Sequence, residues 1–142
     1  MKLHTASEVI SLVRTFENET AEFYDQLCRF GKHEEDLRVF ARENRRNVVQ
    51  VQLAYNNVIS DALEGGFAFD IDAEEFGLEI PQASSFPQAF EGVVRMETTL
   101  ARLYSTAAAQ SESLLPDVSC AMKTIARKRQ ARIEKLRSLL DA

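Results

Sequence analysis

Six polar residues stand where the helical patterns of this chain call for apolar ones: Glu17, Asn44, Asn47, Glu97, Arg129 and Arg132. Two carboxylates can ligate a divalent cation through oxygen, but two guanidinium groups beside them would compete for the same oxygens as charge-assisted pairs. Asn44 and Asn47 can donate to or accept from whatever valence remains. Two tyrosines, Tyr24 and Tyr104, each follow a glutamate by seven residues. They read as core residues with satisfied hydroxyls, or as redox partners if a metal were held nearby. Little else in the chain suits a metal. Its histidines are His4 and His33, its cysteines Cys28 and Cys120 lie far apart, and no CxxC occurs, so zinc-knuckle and rubredoxin-type sites are excluded.

These residues must be positioned by helices. Thr5-Ala6-Ser7-Glu8 has the capping-box form and predicts a helix to about Phe30, stopped by Gly31. Its inward stripe is Ile10, Val13, Glu17, Thr20, Tyr24 and Leu27. A second helix is predicted from about Glu34, with acids at 34 to 36 suiting its positive end, to the Gly65-Gly66 pair. Its stripe is Leu37, Ala41, Asn44, Val48, Val51, Tyr55 and Val58, with Asn47 beside it. Residues 65–84 lose helical period and read as a long connection of short alternating pieces. Ser85-Phe86-Pro87-Gln88 opens a third helix running to about Ser111, with stripe Phe86, Phe90, Val93, Glu97, Leu100, Tyr104 and Ala107. Pro116 restarts the chain as a fourth helix to Ala142, with stripe Val118, Met122, Ile125, Arg129, Arg132, Leu136 and Leu139.

Two helical hairpins joined by a long crossover make an all-α four-helix bundle, a single domain over 1–142. If the first hairpin folds back at Gly31, Glu17 lies 14 residues before the turn and Asn44 and Asn47 lie 13 and 16 after it. If the second folds back near Leu114, Glu97 lies 17 before and Arg129 and Arg132 lie 15 and 18 after. The interruptions therefore fall at one level, as one buried cluster of zero formal charge. Burial of an unpaired ion costs several kcal/mol, so each glutamate is expected within reach of an arginine. The same topology places Cys28 and Cys120 at opposite ends, on the order of 30 Å apart, with no disulfide between them.

With Glu17-Asn18-Glu19-Thr20-Ala21-Glu22-Phe23-Tyr24 and its counterpart at Glu97 and Tyr104, the chain resembles the rubrerythrin branch of the ferritin-like family over nearly its whole length. The resemblance implies a ferritin-like bundle in which Glu17 and Glu97 occupy glutamate ligand positions of a di-iron site. Asn44 and Asn47 replace one of the family's Glu-x-x-His pairs, and Arg129 and Arg132 replace the other. Those replacements point to a non-catalytic domain without a cofactor, and the resemblance implies that it works as a homodimer or as a module for an unknown protein partner. The alternative is a metal-binding oxidoreductase, acting in peroxide reduction or iron oxidation, with iron or another divalent metal on residual ligands Glu17 and Glu97.

Composition narrows the remaining classes. With 17 basic and 22 acidic residues the net charge is -5, and 45% of residues are hydrophobic. That balance argues against general nucleic-acid or membrane-surface binding and for an acidic, unprocessed cytoplasmic protein. Lys123, Arg127, Lys128, Lys135 and Arg137 on the fourth helix lack interleaved aromatics. They read as a solvated face or a partner for the acidic stretch 61–80, not as a nucleic-acid interface.

Overall fold

Thr5 opens helix α1 (Ala6–Leu27): its hydroxyl accepts from the Glu8 backbone N–H at 3.3 Å, and the Glu8 carboxylate accepts from the Thr5 N–H at 3.1 Å. In the computed structural model, residues 1–59, 68–81 and 85–141 are described. The chain to Phe30 is not all α-helix. Cys28–Phe30 tightens into a 3-10 turn that closes on Gly31, whose φ of 71° is left-handed and suits a residue without a Cβ. Helix α2 (Glu34–Ile59) follows, and the predicted stop at Gly65-Gly66 lies outside the described residues. Helix α3 (Phe86–Ser111) is capped by Ser85, which accepts from the Gln88 N–H at 3.4 Å, and helix α4 (Pro116–Asp141) begins on its proline.

Contacts give the helix directions. Between α1 and α2, Glu17 meets Asn47, Thr20 meets Asn44 and Tyr24 meets Phe40, so the pair runs antiparallel. Between α3 and α4, Ala108 meets Ser119 and Glu97 meets Arg129, again antiparallel. Glu17 with Tyr104 and Glu97 with Tyr24 set α1 against α3 in opposite senses. Helices α2 and α3 consequently run parallel, and the chain between them returns the length of the bundle.

The described part of that return is tied down at both sides. Strand β1 (Lys2–Leu3) pairs antiparallel with strand β2 (Ile71–Asp72), and Ala73–Phe76 forms a 3-10 turn. Gln110 clamps the Asp70 backbone, accepting from its N–H at 2.8 Å and donating to its carbonyl at 3.0 Å. The described acids do not dock on α4. Asp70 lies 3.7 Å from Lys2, and Asp72 and Glu74 face the N-terminal amine. Farther along, Pro81 packs on Gly92 of α3 so closely that a Cβ there would stand 2.6 Å from the proline Cγ.

The α2 stripe also differs from its sequence reading. Phe40, Asn47 and Ala54 are buried, whereas Val48 and Tyr55 are only partly so. Helix α2 touches both α1 and α4, so its buried surface is broader than a single heptad seam.

Candidate functional site

The apolar core is divided. One cluster gathers Val9, Val13, Val51, Leu103, Met122 and Ile125; the other gathers Ala21, Leu37, Ala41, Phe90, Met96 and Leu136. The layer between them is polar. Glu17, Thr20, Asn44, Asn47, Glu97, Arg129 and Arg132 are all buried, from 0% to 5% exposed, so the charges of this layer have lost their hydration and must be met by one another.

Arg129 joins the two carboxylates. Its Nη1 donates to Glu97 Oε1 at 2.6 Å and Oε2 at 2.8 Å, and its Nη2 donates to Glu17 Oε1. Arg132 Nη1 donates to Glu97 Oε1 at 3.1 Å and to Asn44 Oδ1 at 2.7 Å. Its Nη2 reaches outward, to the Phe40 carbonyl at 3.3 Å and Glu43 Oε2 at 3.0 Å. Asn47 donates to Glu17 Oε2 at 3.4 Å, while Asn44 donates to Thr20 Oγ1 at 2.6 Å and to the Glu17 carbonyl at 3.2 Å. The tyrosines complete the layer: Tyr24 donates to Glu97 Oε1 and Tyr104 to Glu17 Oε1. All eight residues singled out by their types and spacing thus meet in one layer.

Electrostatics follow from this wiring. Burial alone would raise the Glu97 carboxyl, but the Arg129 and Arg132 charges outweigh it and hold the group below its ordinary value. Burial pushes Tyr24 and Tyr104 well above the usual tyrosine range, helped by the carboxylate each one faces. For Arg129, burial opposes the charge, yet Glu17 and Glu97 together keep the guanidinium protonated well above its ordinary value.

The residues present do not fit the two metals that the family resemblance implies. Among the described residues no group of three or more His, Cys, Asp or Glu side chains is placed to hold a metal ion. Each glutamate is already engaged by a guanidinium and a tyrosine, and a cation set between them would face Arg129 and Arg132 at close range.

Two participants were not among the residues singled out in the sequence. Thr20 stands on the α1 stripe, and its position three residues after Glu17 is the signal that places it beside the cluster. Glu43 carries no such signal, because it is one of several charges on α2 and only the packing of Arg132 selects it. The cysteines lie apart from the layer; both are free, Cys28 half-buried and Cys120 exposed. No helix among the described residues is long and apolar enough to cross a membrane. Protein-family models, curated proteins and solved structures contain no match to this chain.

Proposed function

We propose that this chain is a ferritin-like bundle of the rubrerythrin type whose metal-ligand positions have been rebuilt as a neutral ion-pair layer. On this reading it carries no metal and works through its surface, as a homodimer or by docking a partner protein. The observation that supports it is Arg129, which contacts both Glu17 and Glu97 and sits where a cation would otherwise neutralise them. A guanidinium there leaves no oxygen pair free for a second cation and supplies no electrons. The layer then acts as a register device, because only one sliding of the four helices lets every charge find its partner. Val49 and Leu53, one turn apart on α2 and each 57% exposed, offer an apolar contact for association.

Elemental analysis tests the reading directly, on protein purified without chelator and again after anaerobic loading with ferrous iron. The expected result is iron, manganese and zinc far below one per chain in both samples. About two metals per chain would overturn it and give the lead to an oxidoreductase. Sedimentation of the wild type against Leu53→Glu reads the association: a dimer that Leu53→Glu converts to monomer is expected.

A further inference from the structure

Arg132, a member of the polar layer, also faces a surface cavity. Between α2 and α4 lies a cavity of about 370 Å3, lined by Val39, Phe40, Glu43, Arg46, Lys128, Ala131, Arg132 and Lys135. The helical spacing builds it. Residues 39, 43 and 46 share one face of α2, and 128, 132 and 135 share the facing stripe of α4. Four cations and one carboxylate therefore meet in a protein whose net charge is -5. Lys135 is engaged by Asp36 at 3.1 Å, but Arg46 and Lys128 make no ion pair with any described residue.

The floor of the cavity is chemically specific. The side edge of a guanidinium carries two donors, Nε and Nη2, spaced for the two oxygens of one carboxylate or phosphate. Arg132 Nη2 donates to one oxygen of Glu43 and to the Phe40 carbonyl, while its buried Nε has no acceptor among the described residues. Glu43 is a replaceable occupant, 38% exposed at the cavity mouth, whereas the Arg132 side chain is only 3% exposed. Phe40 lies under the guanidinium at 4.8 Å from ring centroid to Cζ and, with Val39 and Ala131, gives the cavity an apolar wall.

We propose that this cavity binds a small organic anion, a carboxylate or phosphate on a short apolar body, whose headgroup displaces Glu43 and takes the Nε–Nη2 edge of Arg132. Arg46 and Lys128 supply the surrounding positive charge, and Val39, Phe40 and Ala131 receive the apolar body. The cavity volume is of the size that small ligands occupy. Since Arg132 Nη1 holds Glu97 and Asn44, the ligand would be sensed by the buried layer itself. This deepens the partner-binding reading and rests on it in one respect, the place of Arg132 in a layer without metal.

The test is a titration of metal-assayed, 15N-labelled protein with benzoate, phenyl phosphate and inorganic phosphate, at constant ionic strength set by chloride. Saturable amide shifts confined to residues 39–46 and 128–135 are expected with benzoate or phenyl phosphate, and whichever binds tighter identifies the headgroup. Inorganic phosphate is expected to bind more weakly than phenyl phosphate, because it lacks the apolar body. Glu43→Gln removes the internal competitor and should tighten binding about threefold or more, while Arg46→Ala with Lys128→Ala should weaken it about tenfold. Arg46 and Lys128 are exposed, and Glu43→Gln keeps a side-chain oxygen for Arg132, so the fold should be retained, which the amide spectrum of each free variant checks. Shifts that rise without saturating, or affinities the variants do not change, would overturn the site. On metal-free protein that outcome would leave the metal-free reading standing, whereas bound metal would overturn that reading and not this titration.

Discussion

The Tyr24 hydroxyl donates to Glu97 at 2.5 Å, across the bundle from the glutamate seven residues before it, Glu17. Tyr104, seven residues after Glu97, donates back to Glu17 at 2.6 Å. The two Glu-to-Tyr spacings, alike in sequence, are therefore exchanged in space between α1 and α3. This exchange ties the two hairpins together by a pair of charge-assisted hydrogen bonds. Tyr24→Phe and Tyr104→Phe should each destabilise the fold by about 1–3 kcal/mol, and by similar amounts, in urea unfolding. Losses under about 0.5 kcal/mol in both would mean that the carboxylates depend on other donors.

Removing Arg129 leaves two carboxylates facing each other with only Arg132 against Glu97. Arg129→Met should cost about 3–5 kcal/mol, enough to threaten folding of a domain this size. Replacing the charges together, as Glu17→Gln, Glu97→Gln and Arg129→Met in one chain, should recover a large part of that loss. The comparison separates the penalty of an orphaned charge from the worth of the pair. Equal stability for the single and triple variants would contradict a paired, buried layer.

Stability should fall at both ends of the pH scale. Because the folded-state value of Glu97 lies below that of an unfolded carboxyl, its contribution is complete above about pH 4.3 and is lost as pH falls through the folded value. Tyr24 and Tyr104 are raised instead, so their contribution is complete below about pH 10 and is lost as pH rises further. Unfolding midpoints across pH should show an acid limb that Glu97→Gln makes shallower. Tyrosinate absorbance of these two side chains should appear only with unfolding. Their ionisation in the folded protein near the ordinary tyrosine value would refute the burial.

Gly92 is the point where the crossover rests on α3. Gly92→Ala should destabilise by about 1–3 kcal/mol, although alanine is otherwise the better helix former, because its methyl would overlap the Pro81 ring. In the Pro81→Gly background the same substitution should be neutral or stabilising, by measured thermal unfolding of all four combinations. A stabilising Gly92→Ala in the wild-type background would show that the crossover yields at no cost.

Much of the fold was legible because helices announce themselves locally. The Thr5/Glu8 box, the Ser85 cap, Gly31 and Pro116 each act through backbone groups within four residues, and each marks a helix end in the structure to within a turn. The polar interruptions were legible for a related reason. A charge on an apolar stripe is costly, so equal distances from a turn identified residues that had to meet. The β1–β2 pairing was not, because Lys2–Leu3 and Ile71–Asp72 are too short to carry a pattern and are joined only through the returning chain.

By itself, then, the sequence determined four amphipathic helices and the burial of Glu17, Asn44, Asn47, Glu97, Arg129 and Arg132, since periodicity and capping are properties of neighbours along the chain. Which donor meets which acceptor was decided by the tertiary structure alone. The crossed Tyr24–Glu97 and Tyr104–Glu17 bonds, the central place of Arg129, and the outward reach of Arg132 to Glu43 all join separate helices. A hydrogen bond is decided within a few tenths of an ångström, whereas helical spacing gives height along an axis and the side of a helix, and nothing finer.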